Sequence, residues 1–446
     1  MELFPAFEDT LLGASHLIRT GKLTSVMAVE KCLGAICARD GDVQAWVALD
    51  RAGALQQAEQ LDDELRHGQS RGPLHGIPIG IKDIVNVEGY VTGCGSPWMA
   101  KSDRADADAA LVTQLRDAGA VILGKTVTTQ FASFDPPVTR NPWNLNHTPG
   151  GSSSGSAAAV ASGMCLGAIG SQTGGSLTRP ASFCGIATCK PSYGAVNVEG
   201  VFPLAPRMDH PGPMARTVAD VALMLSVIDE WAEWLSVAAS PMPFPPRIGR
   251  LRGFFEDQVE PGYQRLLDET AKLFAAAGAI IVDVPAPVDF QEVIRLHRII
   301  MATESAYEHR SYFAEHGDEY APCIRSLIEE GQQACAIDYM EACETQPQVS
   351  ALLENSIEGL DLLMTPATIG PAPDTSTTGN PLMNSPWSYS GLPTVSFPIG
   401  LSAGGLPLAL QCVGRMTQDA QLTCAAMWCE EVVRAAHGNG RLQPAR

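Results

Sequence analysis

The apolar positions near the start of the chain recur with a helical period. Val29, Cys32, Leu33 and Ile36 fall at i, i+3, i+4 and i+7, one face of a helix that begins near Ser25. Leu55, Ala58 and Leu61 predict a second helix over 54–66. The period then drops to two. Ile77, Ile79 and Ile81 alternate, which predicts a strand with Lys82 on its opposite face. Residues 110–118 read as a helix and 120–123 as a short buried strand. The apolar run 157–169 is too brief to cross a bilayer and predicts a core helix. A further apolar-periodic helix covers 217–228, a Pro- and Ala-rich connection 231–247, and a mostly helical stretch 262–360. Strand patterns return at 361–364, 394–397 and 408–411, before a final helix over 419–435. Strands alternating with helices predict an α/β layered fold with a partly parallel sheet, a single domain over 1–446.

Composition narrows the function classes. With 446 residues, 45% hydrophobic and 18% charged, the chain can bury a large core and is not disordered. A net charge of −19 excludes a sequence-independent nucleic-acid binder, which needs a basic face. None of the 12 cysteines forms a Cys-x-x-Cys pair, and no His-rich cluster stands beside them, so no metal site is expected. Cys32, Cys165, Cys184 and Cys412 sit among apolar neighbours, as reduced, buried thiols of a cytoplasmic protein do. Met1-Glu2-Leu3-Phe4-Pro5 lacks a basic segment followed by a long apolar one, so neither a signal peptide nor a membrane role is expected.

Two glycine–serine runs carry the candidate chemistry. The first is Pro149-Gly150-Gly151-Ser152-Ser153-Ser154-Gly155-Ser156. The second is Gly170-Ser171-Gln172-Thr173-Gly174-Gly175-Ser176-Leu177-Thr178-Arg179-Pro180. Glycine lets backbone N–H groups converge without Cβ interference, and serine adds a nucleophile. Taken singly, each piece has a plainer account. Ser176 fits a tight turn, Ser152 an N-cap, and Lys82 a solvated strand end. A buried Lys82 would instead lose its charge and serve as a general base. Asp209-His210 is the only tempting dyad for a histidine triad. Neighbours on an extended segment face opposite ways, so His210 fits a structural turn better than a base. A phosphate loop is excluded, since neither run ends in Gly-Lys-Ser/Thr.

Jointly these segments resemble the amidase signature family. Its two serine loops stand 24 residues apart, the interval from Ser152 to Ser176 here. Gly76-Ile77-Pro78-Ile79-Gly80-Ile81-Lys82-Asp83 precedes them as the lysine element. Lys190-Pro191-Ser192-Tyr193-Gly194, His210-Pro211-Gly212-Pro213-Met214-Ala215-Arg216-Thr217 and Ser390-Gly391-Leu392-Pro393 extend the match over nearly the whole chain. The resemblance implies a mixed central sheet covered by helices on both faces. It implies Ser176 as acyl nucleophile, Ser152 as a bridge with a cis bond to Gly151, and Lys82 as base. The N–H groups of Thr173, Gly174, Gly175 and Ser176 would form the oxyanion hole. No cofactor is required. The substrate would be a small-molecule amide, with ester or carbamate cleavage chemically adjacent, and a homodimer is the family-level expectation. Three departures stand out: Ser154 replaces a common Gly, Ser171-Gln172 replaces Thr-Asp or Ser-Asp, and Arg179 lies three residues past Ser176. In the glutamyl-tRNA amidotransferase A subunit, which with a non-catalytic scaffold is the competing role, that arginine lies two past. In malonamidase-like enzymes the arginine at this offset holds a substrate carboxylate; here Arg179 either does so or braces the loop with a local carboxylate. Phe131, Phe134, Trp387 and Tyr389 flank signature segments and are candidates for pocket lining as much as for core.

Overall fold

Eleven strands join in one mixed sheet in the computed structural model, which describes residues 1–231 and 241–438. In chain order they are β1 (Trp46–Leu49), β2 (Pro78–Lys82), β3 (Val121–Thr126), β4 (Gly167–Gln172), β5 (Ala187–Lys190), β6 (His210–Ala215), β7 (Arg247–Leu251), β8 (Ile280–Val284), β9 (Leu362–Pro366), β10 (Thr394–Leu401) and β11 (Pro407–Val413). Their spatial order is β1-β3-β2-β4-β6-β5-β10-β11-β9-β7-β8, so β1 and β8 are the edges. β2 runs parallel to β3 and β4, and β7 runs parallel to β8 and β9; the other pairs are antiparallel.

Fourteen α-helices cover this sheet among the described residues. They are α1 (Leu11–Arg19), α2 (Ser25–Val43), α3 (Arg51–Arg66), α4 (Ala110–Asp117), α5 (Ser154–Ala161), α6 (Thr178–Cys184), α7 (Val218–Ile228), α8 (Pro261–Ala276), α9 (Phe290–Glu308), α10 (Arg310–His316), α11 (Pro322–Gln332), α12 (Ala336–Ser356), α13 (Ser385–Ser390) and α14 (Asp419–Gly438). The pleat of β3 separates two cores. Val121 and Leu123 join Ile36, Leu61 and Ala158 from α2, α3 and α5, whereas Ile122 joins Ile79, Leu115 and Val221 on the opposite face. Helices on both faces bury both sides of β2, and all five of its residues are inaccessible. Lys82 therefore does not end the strand in solvent. It points away from the Ile79–Ile81 face.

The predicted helices and the strands at 120–123, 361–364, 394–397 and 408–411 are present with small boundary shifts. Other expectations change. The apolar run 157–169 is not one helix: α5 ends at Ala161 and the chain re-enters the sheet as β4 at Gly167. Gly163 takes φ +70° there, and the N–H groups of Gly163 and Met164 bond back to Val160 and Ala159 carbonyls, closing the helix. The helical stretch 262–360 contains the strand β8, and β7 precedes it. Of the connection 231–247, residues 232–240 lie outside the described residues. His210 opens the central strand β6 rather than a turn. No disulfide joins any of the 12 cysteines, and Cys32, Cys165, Cys184 and Cys412 are buried. Among the described residues no helix is long and apolar enough to cross a membrane, and no group of His, Cys, Asp or Glu could hold a metal ion.

Candidate active site

Lys82 stands at the C-terminal end of β2 with no accessible surface. Its Nζ lies 2.8 Å from Ser152 Oγ and 2.8 Å from Ser171 Oγ. Burial disfavours the ammonium and lowers the Lys82 pKa to about 7, against a smaller opposing pull from Asp209. No carboxylate pairs with it among the described residues. The neighbouring Asp83 is taken by Lys125, 3.0 Å away on β3, and that pair is itself buried. Two lysines thus stand side by side in the sheet, one neutralised by a partner and one poised to lose its proton.

Ser152 lies in the turn before α5, with a cis peptide bond to Gly151. It is not the N-cap; that position is Ser153. The remaining hydroxyls of the run tie the turn together. Ser153 Oγ bonds the Ser171 carbonyl, Ser154 Oγ the Gly150 carbonyl, and Ser156 Oγ the Ile169 carbonyl. The replacement of glycine by Ser154 therefore adds a bond and leaves Ser152 beside Lys82.

Ser176 is brought to the same place through the backbone, its carbonyl accepting from the N–H of Ser153 at 3.3 Å. It is 6% exposed, whereas Lys82 and Ser152 are wholly buried. No hydrogen bond joins the hydroxyls of Ser152 and Ser176 among the described residues. Between β4 and α6, the N–H groups of Thr173, Gly174, Gly175 and Ser176 donate to no other group among the described residues. A side chain at Gly175 would place its Cβ 2.6 Å from Asn384 Oδ1, so the loop can lie this close only with glycine.

The residues expected to contact substrate divide. Arg179 is fully buried on α6. Its Nη2 donates to the Gly151 carbonyl at 2.7 Å and to Thr378 Oγ1 at 3.3 Å, while Nε and Nη1 have no partner among the described residues. It makes no ion pair among them either, so no local carboxylate braces it. Burial alone lowers its pKa to about 9. Phe134, half-buried, lies with its ring 5.8 Å from that guanidinium. Trp387 packs in the core instead: it is wholly buried, stacking on Phe255 and meeting Phe290 edge-on. Phe131 is likewise enclosed, by Trp98, Phe202, His309 and Tyr320. Tyr389 is also buried, its hydroxyl donating to the Ala342 carbonyl at 2.6 Å. His210 serves the backbone as expected, its Nδ1 facing the carbonyls of Met208 and Gln172, and burial holds its pKa well below the usual value.

Sequence reasoning gave Ser171 and Asp209 no role at this loop and missed His297 and Ser388. Thr173 Oγ1 donates to Asp209, His297 Nε2 meets the Thr173 carbonyl at 2.9 Å, and Ser388 Oγ donates to the Gly174 carbonyl at 3.0 Å. Ser171 carried a signal as part of the second serine run, and Asp209 as the neighbour of His210; His297 and Ser388 carried none. A cavity of about 550 Å³ between the N-terminal segment, α1 and α2 has none of Lys82, Ser152 or Ser176 on its wall.

A mixed α/β sheet that buries a near-neutral lysine against one serine, beside a second serine in a glycine loop, defines an acyl-transfer type of site. The Amidase family model matches residues 27–423, and the chain belongs to the amidase family of enzymes. The A subunit of a glutamyl-tRNA(Gln) amidotransferase from Chloroflexus aggregans is 32% identical over 461 residues, covering 93% of this chain and 94% of that one. A crystal structure of an amidase matches with TM-score 0.85 and 29% identity, over 95% of this chain and 99% of that one. The native peptide amidase from Stenotrophomonas maltophilia matches with TM-score 0.83 and 28% identity, over 99% of each chain.

Proposed function

We propose that this enzyme hydrolyses the C–N bond of a small carboxamide through an acyl-enzyme on Ser176. The observation that carries the reading is Lys82: fully buried, pKa lowered to about 7, and 2.8 Å from the hydroxyl of Ser152. A neutral amine accepts one hydrogen bond while donating two, so it can take the Ser152 proton while donating to Ser171. Rotation of the Ser176 side chain brings its hydroxyl onto Ser152. The Ser176 proton then passes to Ser152 as the Ser152 proton passes to Lys82. The freed oxygen attacks the amide carbon, and the oxyanion falls within the N–H groups of Thr173 to Ser176. Collapse breaks the C–N bond, with the proton returned from Lys82 through Ser152 to the leaving amine. Water attacks the ester by the same relay and frees Ser176.

Arg179 favours an anionic substrate. A buried guanidinium with Nε and Nη1 unpartnered is costly unless an acceptor reaches it, and an anionic oxygen such as a carboxylate's is the strongest. The curated relative's name suggests a second role, as one chain of an amidotransferase. The position of Arg179, with no carboxylate beside it among the described residues, favours the free-standing hydrolase.

The test is a serine-directed one. Ser176→Ala is expected to lower kcat by roughly 10⁴-fold or more and to abolish mass labelling by a fluorophosphonate. Activity of the wild type should fall as pH drops through about 7, where Lys82 takes up its proton. Lys82→Ala should lose more activity at neutral than at high pH, because hydroxide partly replaces the base; a profile parallel to wild type overturns the base assignment. Arg179→Ala should selectively impair acidic amides, and an equal loss on neutral ones makes Arg179 a brace. Hydrolysis by the chain purified alone separates this reading from the amidotransferase role.

A further inference from the structure

The peptide units of the glycine loop are oriented from behind. In a trans peptide the C=O and the next N–H point in opposite directions, so whatever holds the carbonyl also aims the N–H. The Thr173 carbonyl is held by His297 Nε2 from α9, at 2.9 Å. The Gly174 carbonyl is held by Ser388 Oγ from α13, at 3.0 Å. The Gly175 carbonyl accepts from the N–H of Arg179 within α6, at 3.0 Å. Only the last of these is local. Because a carbonyl can only accept, the proton of His297 must reside on Nε2. Ser388 in turn accepts from Gln172 Nε2 at 3.2 Å, and Gln172 Oε1 accepts from the N–H groups of Leu177 and Thr178 at 3.1 Å each. The residue that departs from the common aspartate therefore bridges the two ends of the loop and orients the serine beneath it. A carboxylate there would lack the N–H that faces Ser388.

We propose that His297 and Ser388 are positioning residues that aim the N–H groups of Gly174 and Gly175 at the oxygen that becomes negative. This rests on the acyl-enzyme reading above. Neither side chain needs to touch substrate. Both come from elements remote in sequence, which makes the charge-stabilising geometry depend on how the layer formed by α9 and α13 sits on the sheet.

The test uses the whole chain and a fluorophosphonate, whose phosphoryl oxygen occupies the same N–H groups once it reacts with serine. Ser388→Ala should slow labelling about 10-fold, and His297→Phe by about 10- to 100-fold. His297→Gln restores an N–H donor in the same direction and should label within about threefold of wild type; a residue that merely fills space would not be rescued in this way. Wild-type labelling by Ser388→Ala, or equal slowing by His297→Gln and His297→Phe, overturns the inference. Ser388→Ala removes one oxygen atom and decides the matter should the histidine variants fail to fold. Labelling that survives Ser176→Ala sinks the acyl-enzyme reading and this inference with it. Loss of labelling in Ser176→Ala beside wild-type rates in Ser388→Ala sinks this inference alone.

Discussion

Lys82 shows what a single residue trades for chemistry. In the unfolded chain its amine holds a proton up to its ordinary pKa, and in the folded state burial lowers that to about 7. Between these values the unfolded state binds more protons, so the lysine's penalty on stability shrinks as pH rises, by up to ~1.4 kcal/mol per pH unit. Replacing it with an uncharged side chain of similar length should therefore abolish activity and yet raise the melting temperature relative to wild type more at pH 6 than at pH 9. Calorimetry of Lys82→Met at the two values checks this; an equal shift at both would mean the amine is solvated. The identity of this group was legible in the sequence, because strand alternation put it opposite three isoleucines and the serine loops followed at a known interval. Its environment was not. A strand end reads as exposed unless one knows that helices close over both faces. Likewise His297 and Ser388 carry no local pattern. They are 124 and 214 positions from the carbonyls they hold, and only the completed fold makes them neighbours.

At the scale of elements, two of the strands that escaped the sequence, β4 and β6, have a physical reason for it. β4 is built from Gly, Ala, Ile, Ser and Gln, and β6 contains Pro211 and Pro213. Small residues give no hydrophobic alternation, and proline argues against a central strand. Proline is accommodated because β5 pairs only with Met214 and Ala215, so the ladder on that side has ended before the two prolines. Long amphipathic helices were easier, and α7 adds a capping box. Thr217 Oγ1 accepts from the N–H of Asp220, whose carboxylate accepts from the Thr217 N–H and also from the N–H of Leu12 in α1. Thr217→Ala should cost about 1 kcal/mol, read as a lower urea midpoint with kcat unchanged. A loss of activity at unchanged stability would show that α7 acts on the site directly.

At the scale of the whole molecule, the sheet seals most of its thiols. Burial raises the pKa of Cys32 to about 12 and holds Cys165 and Cys189 well above the usual thiol range. Of the 12 cysteines only Cys37, Cys323 and Cys335 are exposed. A maleimide should therefore mark these three quickly in the folded protein, the half-buried Cys343 more slowly, and the buried eight only as it unfolds, with activity unaffected by the fast phase. Rapid modification of Cys94, a buried thiol close enough to Lys82 to feel its charge, would mean the interior opens far more readily than its packing implies.

The outer edge of the sheet carries a different consequence. β8 pairs only with β7, so one row of its backbone groups faces outward, and Ile280 and Val282 stand exposed along it. Such a margin is a template on which another copy can stack once heat loosens the structure. Asp283, paired with Arg252 beside those apolar neighbours, interrupts the run with charge. That carboxylate puts charge on the edge lying farthest across the sheet from β1.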